Sequence, residues 1–251
     1  MKTNFRTVLA VLSFGALLTV AAPGQANEEV KLDTAPINLR DTASLQRGAR
    51  NFVNYCLNCH NAAFMRYSAL TKIGLSEEQI RQNLMFTTDK IGDTMVSPLD
   101  PKDAKNWLGT QPPDLTLVAR VRGSDWLYTF LRSFYRDDKT PSGWNNSVFP
   151  NVAMPHVLHD LQGTPVLTKV GEQKGHDGHV EPIMKAQIDR TGSMSREEYD
   201  LFVLDLVNYL TYMGEPARTE RTQIGVLVLL FLVLLYFATL WLKHEYWKDV
   251  K

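Results

Sequence analysis

Only two cysteines occur in the 251 residues, and both fall within Cys56-Leu57-Asn58-Cys59-His60. A C-x-x-C-H run is the attachment signature of c-type haem. Two thiols add across the vinyl groups of the macrocycle, two spacers set their separation, and the imidazole reaches the iron from one face. A chain so marked must fold around a rigid planar group joined to it covalently. A bare C-x-x-C is also compatible with a redox dithiol or half of a zinc site. The dithiol has no use for the histidine, however, and zinc needs a second knuckle that this sequence lacks.

The two ends set the compartment. Residues 1–26 read as a secretory signal, with Lys2 and Arg6 at the start, an apolar run, and small residues Gly24 and Ala26 at its end. The alternative is an uncleaved N-terminal anchor, although the run is short for a bilayer. Either reading exports the chain from residue 27 onward, into surroundings where a disulfide is the default use of two cysteines and no third is present to compete. Cleavage would remove Lys2 and Arg6 from 27 basic residues and nothing from 27 acidic ones, leaving 25 against 27, a net charge of −2. That balance argues against nucleic acid as a partner. Residues 224–242 carry no charge and are mostly Leu, Val and Phe. At about 1.5 Å per residue they cover roughly 28 Å, close to the hydrocarbon thickness, so one transmembrane helix is expected over residues 221–243. Trp241, Tyr246 and Trp247 form an aromatic belt at its exit. The expected plan is therefore signal 1–26, exported domain 27–220, span 221–243 and cytoplasmic tail 244–251. Gly225 and Ala238 are the small residues through which the span could pack on neighbours.

Within the exported domain, Leu45, Ala49, Phe52 and Val53 recur at helical spacing behind a cap at Asp41 or Ser44, predicting a helix that ends at Cys56. Gly48 on this stripe is either a notch for a close helix or an incidental weakness. Ser195 and Glu198 form a capping box for a second helix running to Gly214, with Pro216 beyond. Shorter helices are expected from Glu77 to Met85, behind a Ser76 and Gln79 box, and from Ser124 to Phe134. The stretches 98–113 and 141–165 are rich in Pro, Gly, Asn and Asp and read as loops. Residues 166–168 and 182–184 could pair as a short hairpin flanking a polar, glycine-broken segment. His176 and His179 in that segment lack further ligands and read as solvated.

The second axial ligand decides whether such an iron carries electrons or binds small molecules. Met65 lies too near His60 in sequence to reach the opposite face, and Met213 faces a helix core by its spacing. Met85 and Met95 flank a helix end. Met154, in Ala153-Met154-Pro155, sits in a long irregular loop that can wrap across a cofactor. His156 and His159 are its rivals and would make a bis-histidine site.

Leu45-Gln46-Arg47-Gly48-Ala49, Asn54-Tyr55 before the haem motif, Met65-Arg66-Tyr67, Pro112-Pro113-Asp114-Leu115, Ala119-Arg120, Ala153-Met154-Pro155 and Tyr212-Met213-Gly214-Glu215-Pro216 follow one another ahead of a single C-terminal span. In that order the sequence resembles the cytochrome c1 family of the bacterial cytochrome bc1 complex. The resemblance implies a mainly α fold: a class I cytochrome c-like helical haem domain with long loops, plus one C-terminal transmembrane helix. It implies Cys56 and Cys59 as the attachment points of one haem c, His60 and Met154 as axial ligands, and Arg120 as partner of a propionate. Pro112 or Pro113 would lie on the His60 side, where a carbonyl can set the imidazole tautomer. Two departures stand out. The Gly-Gly pair common after that arginine is Arg122-Gly123 here, and the extra disulfide of some bacterial relatives is impossible with two cysteines.

The implied function is electron transfer within ubiquinol:cytochrome c oxidoreductase, from the Rieske iron-sulfur protein to a soluble or anchored cytochrome c, beside cytochrome b in the bacterial inner membrane with the haem domain in the periplasm. Such a subunit is part of an enzyme without being a catalyst on its own. Phe52, Tyr55, Phe64, Trp126 and Phe149 are candidates for an apolar wrap. Asp89, Asp93, Asp100, Asp103, Asp137 and Asp138 could steer a basic cytochrome c or simply be solvated. The alternatives are an anchored cytochrome of a terminal oxidase or another reductase, and a haem enzyme or gas sensor with an open iron site.

Overall fold

The computed structural model describes residues 30–174 and 180–249. The expected signal at residues 1–26 and the pair His176 and His179 lie outside the described residues.

Two long helices carry the domain ahead of the apolar C-terminal segment. α1 (Thr42–Tyr55) starts at Asp41, whose carboxylate accepts the Ser44 amide, and it buries Leu45, Gly48, Ala49, Phe52 and Val53. Near the other end of the domain the Ser195–Glu198 capping box forms in both directions and opens a 19-residue helix, Arg196–Gly214. This later helix, α7 in chain order, crosses α1 at Gly48. A Cβ placed on Gly48 would stand 2.1 Å from the Asp205 carbonyl oxygen and 2.6 Å from Tyr209 Cβ, so Gly48 is a notch that lets the backbones meet. Phe52 and Tyr209 pack ring to ring beside it at 5.7 Å. Arg47 donates from Nε and Nη2 to the two carboxylate oxygens of Asp205 at 2.6 and 2.9 Å, which locks the crossing at its rim.

Between these helices the chain is more regular than its composition suggests. β1 (Ala62–Arg66) pairs antiparallel with β2 (Thr94–Met95). A 3₁₀ turn (Tyr67–Ile73) and α2 (Glu77–Asn83, behind the Ser76 box) connect them. The stretch 98–113, expected to be loop, contains α3 (Pro101–Leu108). Asp100 caps it, Pro101 takes a position where its missing N–H costs nothing, and Gly109 ends it with φ +74°. Proline and glycine here bound a helix, where a count of loop-forming residues reads only their abundance. α4 (Val118–Arg122) and α5 (Ser124–Arg132) follow. α5 stops two residues short of expectation because Phe134 opens β3 (Phe134–Arg136).

The second presumed loop, 141–165, also holds structure: β4 (Trp144–Asn146) and the single turn α6 (His159–Gln162). Three residues are too few to show alternation in sequence. The expected short hairpin is long. β5 (Gly163–Lys174) pairs with β6 (Val180–Thr191) from Gly163 opposite Thr191 to Lys174 opposite Val180, with irregularities at two points. The sheet order is β4-β3-β5-β6, antiparallel except for the β3–β5 pairing of Arg136 with Val166.

From Leu32 onward the chain forms one compact unit. An N-terminal strap, residues 32–40, is tied down at three points. The Asp33 amide donates to Thr129, the Ala35 amide to Asp125, and the Asn38 backbone exchanges two hydrogen bonds with the Asn208 side chain. After α7 the chain enters α8 (Arg218–Trp247). Its segment Gln223–Trp247 is long and apolar enough to cross a membrane, and its apolar stretch has no buried residue. At 30 residues, α8 is about 45 Å long and extends past a hydrocarbon layer of roughly 30 Å.

Candidate functional site

The haem motif forms the turn that ends α1. The Cys56 amide still donates to Phe52 O, after which the amides of Cys59 and His60 both donate back to Cys56 O at 3.1 and 2.8 Å. This tight turn keeps both thiols and the imidazole within one loop of backbone. Among the described residues both cysteines are free. Burial pushes the Cys56 thiol up to about 12 and raises Cys59 as well, so both are neutral in this fold. Neither behaves as the activated thiolate of a redox dithiol.

His60 is positioned by the chain opposite. Its Nδ1–H donates to Pro113 O at 2.8 Å, which leaves Nε2 as the ring nitrogen with a free lone pair. Burial lowers its pKa, and the carbonyl partly opposes that fall. The sequence left the choice between Pro112 and Pro113 open, with Pro112 favoured; the hydrogen bond belongs to Pro113. Asp114 builds the seat. One carboxylate oxygen accepts the Ala63 amide at 2.7 Å and the other accepts the Thr116 amide at 2.8 Å, while the Leu115 amide donates to Asn61 O. Asp114 and Asn61 were missed at the level of sequence, although an Asp directly after two prolines is a turn-forming signal.

These residues fit a haem. A C-x-x-C-H turn with two neutral thiols, an imidazole with its metal-binding nitrogen free, and uncovered apolar side chains are what such a group requires. Phe64, four residues beyond His60, is 79% exposed, and Val121 on α4 is 77% exposed. The Phe64 amide points to Thr116 Oγ1 at 3.4 Å, which joins the two segments. Of the candidates for an apolar wrap, Phe52 and Tyr55 are instead used at the helix crossing, where Tyr55 meets Phe202 edge-on. Trp126 stacks on Phe130 at 4.7 Å and meets Phe149 edge-on, with Arg122 over both rings.

The structure narrows the candidates for the second ligand, with Met85 and Met194 partly buried against the core as Met154 is. Met65, Met95 and Met213 are core residues, and the Met95 sulfur accepts from Tyr209 Oη at 3.6 Å. Met154 is half-buried against the core in an irregular segment. His156 is enclosed: its ring stacks on Phe134 at 4.9 Å, and Nε2 shares a 2.7 Å hydrogen bond with Gln162 Oε1. Burial drives its pKa down to about 4. His159 Nδ1 bonds to His156 O at 3.0 Å and its Nε2 lies beside Asp160. His156 is thus shut in by protein, and both ring nitrogens of His159 are engaged.

Arg120 is ion-paired with Glu215 at 3.3 Å, and Glu215 also binds Arg221. Of the acidic residues considered for steering, Asp100 caps α3, Asp93 accepts from Thr88, Asp137 accepts from Asn145, and Asp138 pairs with Arg136. Much of that charge therefore has a local structural role.

Residues 34–166 match the Cytochrome C1 family. A protein of Nitrosomonas europaea named ammonia monooxygenase gamma subunit is 48% identical over 96% of this chain and 100% of its own length. Cytochrome c1 of Allochromatium vinosum is 49% identical over 87% of this chain and 89% of its own. Cytochrome c1 of Rhodospirillum rubrum is 27% identical over 96% and 97%.

Proposed function

The chain belongs to the cytochrome c1 family, and on that premise we propose that Cys56 and Cys59 anchor its haem, with His60 and Met154 as the two ligands of the iron. A member of this family carries one covalent haem c and serves as a haem electron-transfer subunit of the bc1 complex. When bound, the haem supplies a one-electron couple with no bond made or broken in a substrate.

The observation that carries the ligand assignment is the His60 Nδ1–H donated to Pro113 O. It selects the tautomer that presents Nε2 to a metal, and it raises the basicity of that nitrogen. Met154 is supported by its place in an irregular segment and by the burial of Met65, Met95 and Met213 and the enclosure of His156. A thioether there would close the second face of the iron and keep water and gases out. Arg120, half-exposed beside Glu215, is the residue we assign to a propionate, sharing its guanidinium between two carboxylates. Donor and acceptor are the finer part of the proposal: electrons arrive from the Rieske iron-sulfur protein and leave to a cytochrome c, with cytochrome b as neighbour. The haem domain faces the periplasm and α8 crosses the inner membrane.

Met154→Leu tests the ligand set. The expected result is loss of the low-spin, high-potential haem and gain of carbon monoxide binding by the reduced protein, with the covalent haem retained on a denaturing gel. An unchanged spectrum and potential would remove Met154 from the iron. The similarity to a protein named as an ammonia monooxygenase subunit favours one second reading, the same cytochrome serving a different membrane complex. Purification from detergent-solubilised membranes separates the two. A cytochrome b and an iron-sulfur protein accompany the chain in the first case and not in the second.

A further inference from the structure

Beside the point where α8 leaves the exported domain lies a cavity of about 470 Å³. It is lined by Ile37, Asn38, Leu39 and Arg40 of the strap, Ser124 at the start of α5, and Arg218 at the start of α8. We propose that this cavity seats the phosphate-bearing headgroup of an anionic phospholipid from the leaflet on the haem-domain side.

Charge points to an anion. Neither Arg40 nor Arg218 forms an ion pair with a carboxylate among the described residues, and three acidic side chains near them already have partners. Asp41 accepts the Ser44 amide as cap of α1, Asp125 accepts the Ala35 amide, and Glu215 pairs with Arg120 and Arg221. Two arginines thus line one cavity whose other lining residues carry no charge, with the Asp125 carboxylate held behind the wall on the Ala35 amide. Guanidinium is the side-chain group best matched to phosphate oxygens.

Depth chooses lipid over a free anion. Arg218 stands five residues before Gln223, where the apolar segment begins. At about 1.5 Å per residue this is about 8 Å above the hydrocarbon edge. The headgroup layer on each side of a bilayer is roughly 5 to 8 Å thick, so the cavity lies at phosphate level. Ile37 and Leu39, half-buried in its wall, supply apolar surface for the glycerol end. The wall is also preformed, because the Asn38 backbone is held by Asn208 at 3.1 and 2.9 Å. A site that needs no ordering on binding keeps more of its contact energy as affinity.

The test uses the full-length haem-loaded protein in nanodiscs of phosphatidylcholine containing a phosphatidylglycerol with a photoreactive group next to its glycerol. Crosslinked peptides are mapped by mass spectrometry. Expected are adducts on residues 32–40 and 215–222, reduced about tenfold or more in the Arg40→Gln/Arg218→Gln double variant. The haem spectrum should be unchanged, and excess inorganic phosphate should have no effect. The single variant Arg40→Gln, which alters an exposed and unpaired side chain, repeats the measurement if the double variant assembles poorly. Adducts confined to the apolar segment, or a yield unchanged in both variants, overturn the site. Abolition by inorganic phosphate overturns the lipid and leaves a free-anion site in its place.

Discussion

α1 serves two regions that contrast sharply. Along its middle, the crossing with α7 is closed by the protein itself: Gly48 admits the Asp205 backbone, Phe52 and Tyr209 fill the seam, and Arg47 seals its rim. At its end, the Cys56–His60 turn leads within four residues to Phe64, whose ring stands open. One region is complete as polypeptide, and the other is shaped for a group the polypeptide does not supply. The lesson is that a cofactor protein has a seam that tolerates no added atom and a face whose side chains have little to do until the cofactor covers them.

The comparison breaks most readily at the seam. Gly48→Val puts atoms where backbone already stands, so a loss of about 3 kcal/mol is expected in denaturant unfolding, with failure to accumulate haem protein in membranes as the extreme result. A stability within about 0.5 kcal/mol of the parent would mean the helices can slide apart, and the seam is not rigid.

His156, under the loop that carries Met154, predicts an intermediate effect. Its folded pKa of about 4 lies below the ordinary 6.5 because burial disfavours the charged ring. Above 6.5 it is neutral in both folded and unfolded chains and makes no pH-dependent difference. As pH falls from 6.5 towards 4, the unfolded chain takes up a proton that the folded one refuses, and stability is lost. Between about pH 7 and 5 this amounts to about 2 kcal/mol, which His156→Phe should remove from the pH slope. An unaltered slope would place the acid sensitivity in other groups.

The smallest effect sharpens the comparison from the open side. Phe64 is 79% exposed, so if nothing covers it Phe64→Ala changes unfolding of the haem-loaded protein by less than about 0.5 kcal/mol. A loss well beyond that, accompanied by a shifted haem potential, would show the porphyrin lying against this ring.

Much of the architecture was legible in the residues, where local chemistry and local structure coincide. Both capping boxes formed as written, and the helical stripe of α1 buried the face its spacing predicts. α3 was missed although Asp100-Pro101 and Gly109 mark its ends, because residue abundance was weighed above residue position. β4 and α6 are too short to leave a periodic trace, and the length of the β5–β6 ladder depends on pairing that no single strand reveals. At the proposed site, Cys56, Cys59 and His60 stand out in sequence because covalent attachment of a haem would demand that spacing. Asp114 and Asn61 do not, since their role exists only where two distant segments meet.

What the sequence by itself determined is therefore whatever is encoded within one turn of backbone or one uninterrupted run: the thioether motif, the helix caps, the apolar span. The tertiary structure alone decided that Pro113 holds His60, that His156 is enclosed, that Gly48 is a notch, and that Arg40 and Arg218 share a cavity. Each of these rests on atoms far apart in the chain brought within a few ångströms. Contact distance is set by how helices and loops pack, and no local pattern of residues carries it.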